Sequence, residues 1–314
     1  MPIPLAPLFR DPIYDGAADP TVIWNRQEGA WWLLYTSRRA NVLGRGVAWA
    51  HGTDIGIASS ADCGGHWRYR GTLAGLEFEP GRNTFWAPEV IWHDGLYHLY
   101  VSYVRGVPRD WTGARAIVHL TSDNLWDWQR QSVLELSSDR VIDAALQRMP
   151  GGYWRMWYKD EVNSSQTWAA DSDDLYHWTV HGPVITDCAH EGRNVFFWRG
   201  SYWLIIDHWN GLGVYRSPDA ENWRRCPNIL DAPGVRKDDG AIGGHADVLV
   251  NGERAFIFYF THPDWDRKQQ FGLDEIHPYH VKRTSLQVAE LELTDDKLIC
   301  DRDRAFDFRL QPGS

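Results

Sequence analysis

Cysteine is scarce and scattered: Cys63, Cys188, Cys226 and Cys300 are the only four in 314 residues. No C-x-x-C pair occurs, so neither a zinc site nor a dense disulfide framework is signalled, and a reduced compartment is the expectation. Basic charge is in deficit. The 32 Lys and Arg stand against 42 Asp and Glu, a formal charge of −10, which argues against a nucleic-acid or anionic-membrane partner because phosphate binding needs a concentrated basic face. No apolar run approaches membrane-spanning length. The opening Met1-Pro2-Ile3-Pro4-Leu5-Ala6-Pro7-Leu8-Phe9-Arg10 lacks a basic stretch followed by an apolar one, so no signal peptide is read and a cytoplasmic protein is expected.

Aromatic residues, in contrast, are abundant. Nineteen Trp and 13 Tyr suit sheet packing, and the same ring faces stack on the apolar faces of sugars. Hydrophobic content of 43% suffices for a large core, and no composition break divides the chain, so residues 1–314 are read as a single domain.

Five hairpins of similar layout recur. Asp19-Pro20-Thr21-Val22-Ile23-Trp24 leads to Trp31-Trp32-Leu33-Leu34-Tyr35, and Glu89-Val90-Ile91-Trp92 leads through Asp94-Gly95 to Tyr97-His98-Leu99-Tyr100-Val101. Asp143-Ala144-Ala145-Leu146 leads through Gly151-Gly152 to Tyr153-Trp154-Arg155-Met156-Trp157-Tyr158. Glu191 opens the fourth unit, and His245-Ala246-Asp247-Val248 opens the fifth. After each of the first four comes a third strand ending in a Ser-Asp cluster, then a fourth strand introduced by Trp67, Trp128, Trp178 or Trp223. The fifth unit completes itself with Ser285–Leu291 and Lys297–Cys300, without the Trp. Four short strands per unit, repeated five times, predict an all-β protein: a five-bladed β-propeller with four antiparallel strands per blade.

In such a ring the innermost strands line a central channel, and the residues that open them surround one mouth. Asp19, Glu89, Asp143, Glu191 and His245 are therefore expected to converge on one pocket, where burial and mutual repulsion drive carboxyl pKa values apart. Long segments interrupt the repeat at 37–53, 105–115 and 263–283, and rim loops of this length usually build a ligand pocket.

Paired carboxylates across a sugar-sized gap can cleave a glycosidic bond, one protonating the leaving oxygen and the other activating water. The motifs Asp19-Pro20, Trp86-Ala87-Pro88-Glu89, Ile142-Asp143, Glu191-Gly192 and Gly244-His245 resemble those of family 43 glycoside hydrolases. That resemblance implies Asp19 as general base, Asp143 as the residue that holds and tunes the acid, Glu191 as general acid, and inversion at the anomeric carbon. A closer similarity, to the exo-acting 3,6-anhydro-α-L-galactosidases of family 117, lies in His190-Glu191-Gly192, in Tyr97–Tyr103, in Gly106-Val107-Pro108 and in Trp111. In that family the His of the pair is the proton donor, which makes His190 a rival to Glu191.

Trp86, Glu89, Gln147, Arg193, His208 and His245 are the candidate substrate contacts. Arg193, where family 43 usually has Pro, suggests a polar or anionic group near the leaving side. No cofactor is required. A divalent cation in the central channel near His245 is the one addition that related enzymes suggest, its identity unknown. The expected partner is an oligosaccharide, with a homodimer left open. Alternatives are a family 43-type α-L-arabinofuranosidase or β-xylosidase, a phosphorylase on the same fold, and a carbohydrate-binding propeller without catalysis.

Overall fold

Runs such as Trp31-Trp32-Leu33-Leu34-Tyr35 are short, aromatic and bounded by turns, and they fold as strands sandwiched on both faces. In the computed structural model, which describes residues 3–266 and 268–313, the second strand of blade one is buried at every position whereas its fourth alternates exposed and half-buried residues. Met1, Pro2, Arg267 and Ser314 lie outside the described residues.

Blade one comprises β1 (Ala17–Asn25), β2 (Ala30–Ser37), β3 (Asp54–Ser60) and β4 (Arg68–Thr72). Blade two comprises β5 (Thr84–His93), β6 (Leu96–Val104), β7 (Ala116–Ser122) and β8 (Gln129–Val133). Blade three follows with β9 (Val141–Arg148), β10 (Trp154–Asp160), β11 (Gln166–Ser172) and β12 (Thr179–Ile185). Blade four holds β13 (Glu191–Trp198), β14 (Ser201–Asp207), β15 (Leu212–Ser217) and β16 (Arg224–Ile229). Blade five is β17 (Gly244–Asn251), β18 (Arg254–Thr261), β19 (Ser285–Thr294) and β20 (Lys297–Ile299), with a one-turn helix α1 (Tyr279–Lys282) in its long loop. Each blade is one antiparallel sheet in chain order, and the all-β five-bladed propeller expected from the repeat is the observed fold.

Apolar side chains fill the wedges between blades. Trp32 and Leu34 share one cluster with Val90 and Leu99 of blade two, and Trp203 and Ile205 share another with Val248 and Ile257 of blade five. An aromatic side chain so placed removes roughly 150–250 Å² from water, worth several kcal/mol at about 25 cal/mol per Å². Most of the Trp surplus is spent here. Each Ser-Asx cluster is a turn in which the Asx oxygen accepts backbone N–H groups, as Asp62, Asn124, Asp174 and Asp219 do. The residue after it, Cys63, Leu125, Leu175 or Ala220, takes a left-handed conformation.

The inner strands β1, β5, β9, β13 and β17 adjoin one another around the axis. A ring of polar side chains on them ties blade to blade: Glu89 accepts the N–H of Leu146, Asn194 that of Val248, and Asp247 that of Val22, at 2.8–3.2 Å. Asp247 also accepts from the Asn194 amide at 2.9 Å. The seam between blades five and one is closed further by both ends of the chain. Phe9 bridges to Leu286 of β19, and the Leu310 N–H donates to the Cys63 carbonyl. Phe306 and Phe308 pack with Phe256 of β18 and Leu33 of β2.

Asp247→Ala strands two buried donors, the Val22 N–H and the Asn194 amide. It is expected to lower the unfolding free energy by about 2 kcal/mol or more, measured in urea. Asp247→Asn, which keeps an acceptor, is expected to lose less.

Candidate active site

At the pocket end of every inner strand the ladder register breaks: between Ala18 and Thr21, Trp86 and Glu89, Trp157 and Lys159 (opposite Ala145 and Ile142), Glu191 and Asn194, and Gly244 and Ala246. These are β-bulges, which re-aim side chains. Four of them carry a left-handed residue: Asp19 (φ 49°), Ala87 (φ 46°), Asp143 (φ 57°) and Gly192 (φ 54°). At Gly192 a Cβ would fall 2.6 Å from Cγ of His245, so conformation and contact both demand glycine there.

This register sorts the expected ring of titratable residues. Asp19 and Asp143 occupy equivalent bulge positions, and Glu191 sits one residue earlier, at the position of Trp86. Glu89 lies two residues beyond the bulge and points down the channel, in the layer of Asn194 and Asp247. Expecting all five openers at one mouth is therefore corrected for Glu89: the irregular backbone offsets it from its counterparts.

Asp19, Asp143, Glu191, Trp86 and His245 do line one cavity of about 870 Å³. Its walls include Trp49, Trp111, Trp209 and Trp265, and its charged lining adds Arg38, Arg115, Arg140, Lys159, Glu161 and Asp207. Arg38, stacked on Phe260, donates to both oxygens of Asp19 at 2.9 and 3.2 Å, and His245 Nδ1 lies 3.6 Å from Asp19 Oδ1. Asp143 accepts the Gly192 N–H at 2.9 Å, while its own N–H donates to Ser102. The fixed backbone carries Glu191 beside it.

Glu191 is 34% exposed, facing the pocket, and its Oε2 lies 3.1 Å from Lys159 Nζ. Its deep seat alone would raise its pKa, but Lys159, Trp209 and Arg38 together bring it down to about 2. Asp207 behaves oppositely. Burial and then the charge of Glu191 push it up to about 6, against backbone hydrogen bonds from Trp209 and His245. Two neighbouring carboxyls thus have their pKa values driven apart, the pattern of acid–base sites.

Several candidates fall elsewhere. His190 is fully buried, its Nε2 hydrogen-bonded to Thr167 Oγ1 at 2.6 Å and its Nδ1 2.9 Å from the Cys188 carbonyl. Burial and then Arg193 depress it to about 3. It is not among the residues lining the pocket, because neighbours at a strand's start face opposite sides. Arg193 is 1% exposed and donates inward to the Ile142 and Asp143 carbonyls and Thr167, so it braces the site from behind and does not meet a ligand. Glu89 and Gln147 line a separate cavity of about 330 Å³ in the channel. His208 turns toward Arg225.

Trp209, a residue that sequence position already suggested as a sugar contact together with His208, does line the pocket, whereas Arg38, Lys159, Glu161 and Asp207 were not among the sequence candidates. A signal for Lys159 does exist: opposite the residue before each bulge, blades one, two and four place Thr36, Ser102 and Asp207, and blade three places Lys159. As for a cation, no group of three or more His, Cys, Asp or Glu side chains among the described residues could hold a metal ion. Among the described residues Asp19 is the one carboxylate in ion-pair contact with His245, a poor match to the many oxygen ligands calcium takes.

The fold is the five-bladed propeller seen in family 43 glycoside hydrolases. The chain superposes on a thermostable family-43 glycoside hydrolase with a TM-score of 0.66 at 19% identity, covering 98% of this chain and 99% of that one. It superposes on a GH43_1 enzyme from Xanthomonas citri complexed with xylotriose with a TM-score of 0.68 at 14% identity, covering 94% and 92%. In sequence it is 25% identical over 278 residues to a probable arabinan endo-1,5-alpha-L-arabinosidase A of Aspergillus fumigatus, covering 79% of this chain and 81% of that protein. No family model matches. These homologues and structural neighbours are glycoside hydrolases.

A buried neutral histidine carries a pH signature. With a folded pKa below its ordinary 6.5, the His190 contribution is whole above about pH 6.5 and is lost as pH falls toward 3, since the unfolded chain takes up the proton first. His51, His98 and His119 are depressed by burial in the same way. Replacing His190 with Gln should flatten part of the decline in unfolding free energy between pH 7 and 5, measured in urea.

Proposed function

We propose that the protein is an inverting glycoside hydrolase that removes a terminal pentose, arabinose or xylose, from short oligosaccharides. The observation that carries this reading is the convergence of Asp19, Asp143 and Glu191 on one aromatic-walled pocket, the first two on equivalent bulges. Asp19, held by Arg38, takes a proton from the attacking water. Glu191 delivers a proton to the leaving oxygen on the opposite side of the sugar. Asp143 fixes the Gly192 backbone and hence the carboxyl next to it. Aromatic faces such as Trp86 and Trp209 offer stacking surfaces for the ring.

Action at a chain end is supported by the rim. The Gly46 N–H donates to the Glu275 carbonyl, the Val47 N–H to the Arg109 carbonyl, and Trp49 Nε1 to His277. The three long loops are thereby stapled together over one side of the pocket, which favours an exo mode. Water is favoured over phosphate as nucleophile because each lining cation is already committed: Arg38 to Asp19, Arg115 and Arg140 to Glu161, Lys159 to Glu161 and Glu191. The 3,6-anhydro-α-L-galactoside reading takes its proton donor from the His-Glu pair, whose histidine is buried, so the pentosides named by the neighbours are preferred.

The test is a panel of arabino- and xylo-oligosaccharides with neoagarobiose, incubated with and without phosphate, the anomer of the released sugar being followed by NMR. Release of the inverted pentose without phosphate is expected, and Asp19→Asn should slow it by at least about 100-fold. Release of anhydrogalactose alone would replace the pentoside assignment. Binding without turnover by the wild type would sink the hydrolase reading.

A further inference from the structure

We propose that Lys159, whose ammonium spans Glu191 and Glu161, is the positioning residue through which this site controls when Glu191 carries its proton. The inference rests on the hydrolase reading for its consequence, though its geometry stands alone.

The position is informative first. Thr36 accepts the N–H of Ala87, Ser102 that of Asp143, and Asp207 that of His245, at 2.9 Å in each case. Each is a blade's contribution to pairing the bulge N–H of the blade that follows. Blade three cannot make this bond, because an ammonium has no acceptor, and Asp143 takes over by accepting the Gly192 N–H itself. A structural position has been given up at the one blade boundary that leads into Glu191. What replaces it is a charge on that carboxyl.

The surroundings leave the ammonium two carboxylate partners. Its side chain is 4% exposed, and Nζ lies 3.1 Å from Glu191 Oε2 and 3.1 Å from Glu161 Oε1. Arg115 and Arg140 also converge on Glu161, each at 3.1 Å. Glu161 thus has cations in excess, and Lys159 is the one shared with Glu191. Other charged groups facing Glu191 are Arg38 just past the end of β2, Arg193 on its own strand, Arg115, and Asp207 across the β13–β14 ladder. Trp209 adds a hydrogen bond and sets its ring 5.6 Å from the ammonium.

A general acid must be protonated when the leaving oxygen departs, yet paired with Lys159 this carboxyl is held as an anion. The pair resolves this if Lys159 moves fully onto Glu161 when sugar displaces water from the pocket. Glu191 then takes one proton from solvent, passes it to the leaving oxygen, and returns as carboxylate to Lys159. The proton that Asp19 takes from the attacking water returns to solvent, so the cycle balances.

The experiment is a ¹³C NMR titration of the protein labelled at glutamate side-chain carboxyls, the Glu191 signal being assigned by its loss in Glu191→Gln. Lys159→Met should raise the Glu191 midpoint by about 1–3 pH units, the usual effect of one close opposite charge. Lys159→Arg, which keeps the charge, should return it close to wild type. An unchanged midpoint in a folded Lys159→Met protein, checked by amide dispersion, overturns the proposal. If Lys159→Met does not fold, the Arg variant decides: a midpoint raised as though no cation were present overturns it. For pentosides that the wild type hydrolyses, the alkaline limb of kcat/KM should move up in Lys159→Met, which a merely structural lysine would not cause. A wild type that hydrolyses nothing in the panel removes the hydrolase reading, while the Glu191 midpoints still decide the role of Lys159.

Discussion

A backbone N–H that leaves its ladder inside a protein must be paired again, and that requirement organises this molecule. Each inner strand bulges at the pocket end, and the N–H freed there is accepted by a side chain of the preceding blade where Thr36, Ser102 and Asp207 stand. A second layer, Glu89, Asn194 and Asp247, does the same further down the channel. These bonds fix the rotation of one blade against another. The carboxylates at the mouth inherit their positions from them.

Departures from the pattern coincide with the chemistry. Blade three exchanges an acceptor for Lys159, and blade four keeps an acceptor, Asp207, whose burial beside Glu191 raises its pKa. Blade five places Phe260 opposite Gly244, where it carries the guanidinium that grips Asp19. Breaking a repeat costs stability unless something compensates, so functional residues are found where the repeat fails.

Much of this was legible in the sequence. Short aromatic strands and glycine turns recur five times and the Ser-Asx-Trp element four times, and together they specify the blades because each feature is local. Asp19, Asp143 and Glu191 were legible because a titratable residue opening an inner strand lies within a few residues of the mouth. Glu89 misled because a bulge shifts the facing of the residues beyond it, and periodicity carries no mark of where the bulge falls; His190 misled because it precedes the bulge, where simple alternation with Glu191 turns it away from the pocket. The partners Arg38 and Lys159 were hidden differently. They come from the pocket ends of second strands, Lys159 within β10 and Arg38 just past β2, and the pairing of Lys159 with Glu191 across 32 residues of chain is a product of blade packing. Arg193 was read as facing the ligand because a guanidinium stands where family 43 usually has Pro, yet buried backbone carbonyls receive it.

The seam between blades five and one has a bearing on how the chain folds. The hydrogen bond from Val22 to Asp247 joins residues 225 apart in sequence, and the aromatic tail that covers the same seam is made later still. During synthesis the flank of β1 must wait, with its apolar face unpartnered, until the final blade emerges. Non-local closure of this kind slows folding and lengthens exposure to other chains. The ring is therefore most vulnerable to aggregation when four blades are complete and the fifth is not, and its yield on expression should depend on that interval more than on the stability of the finished ring.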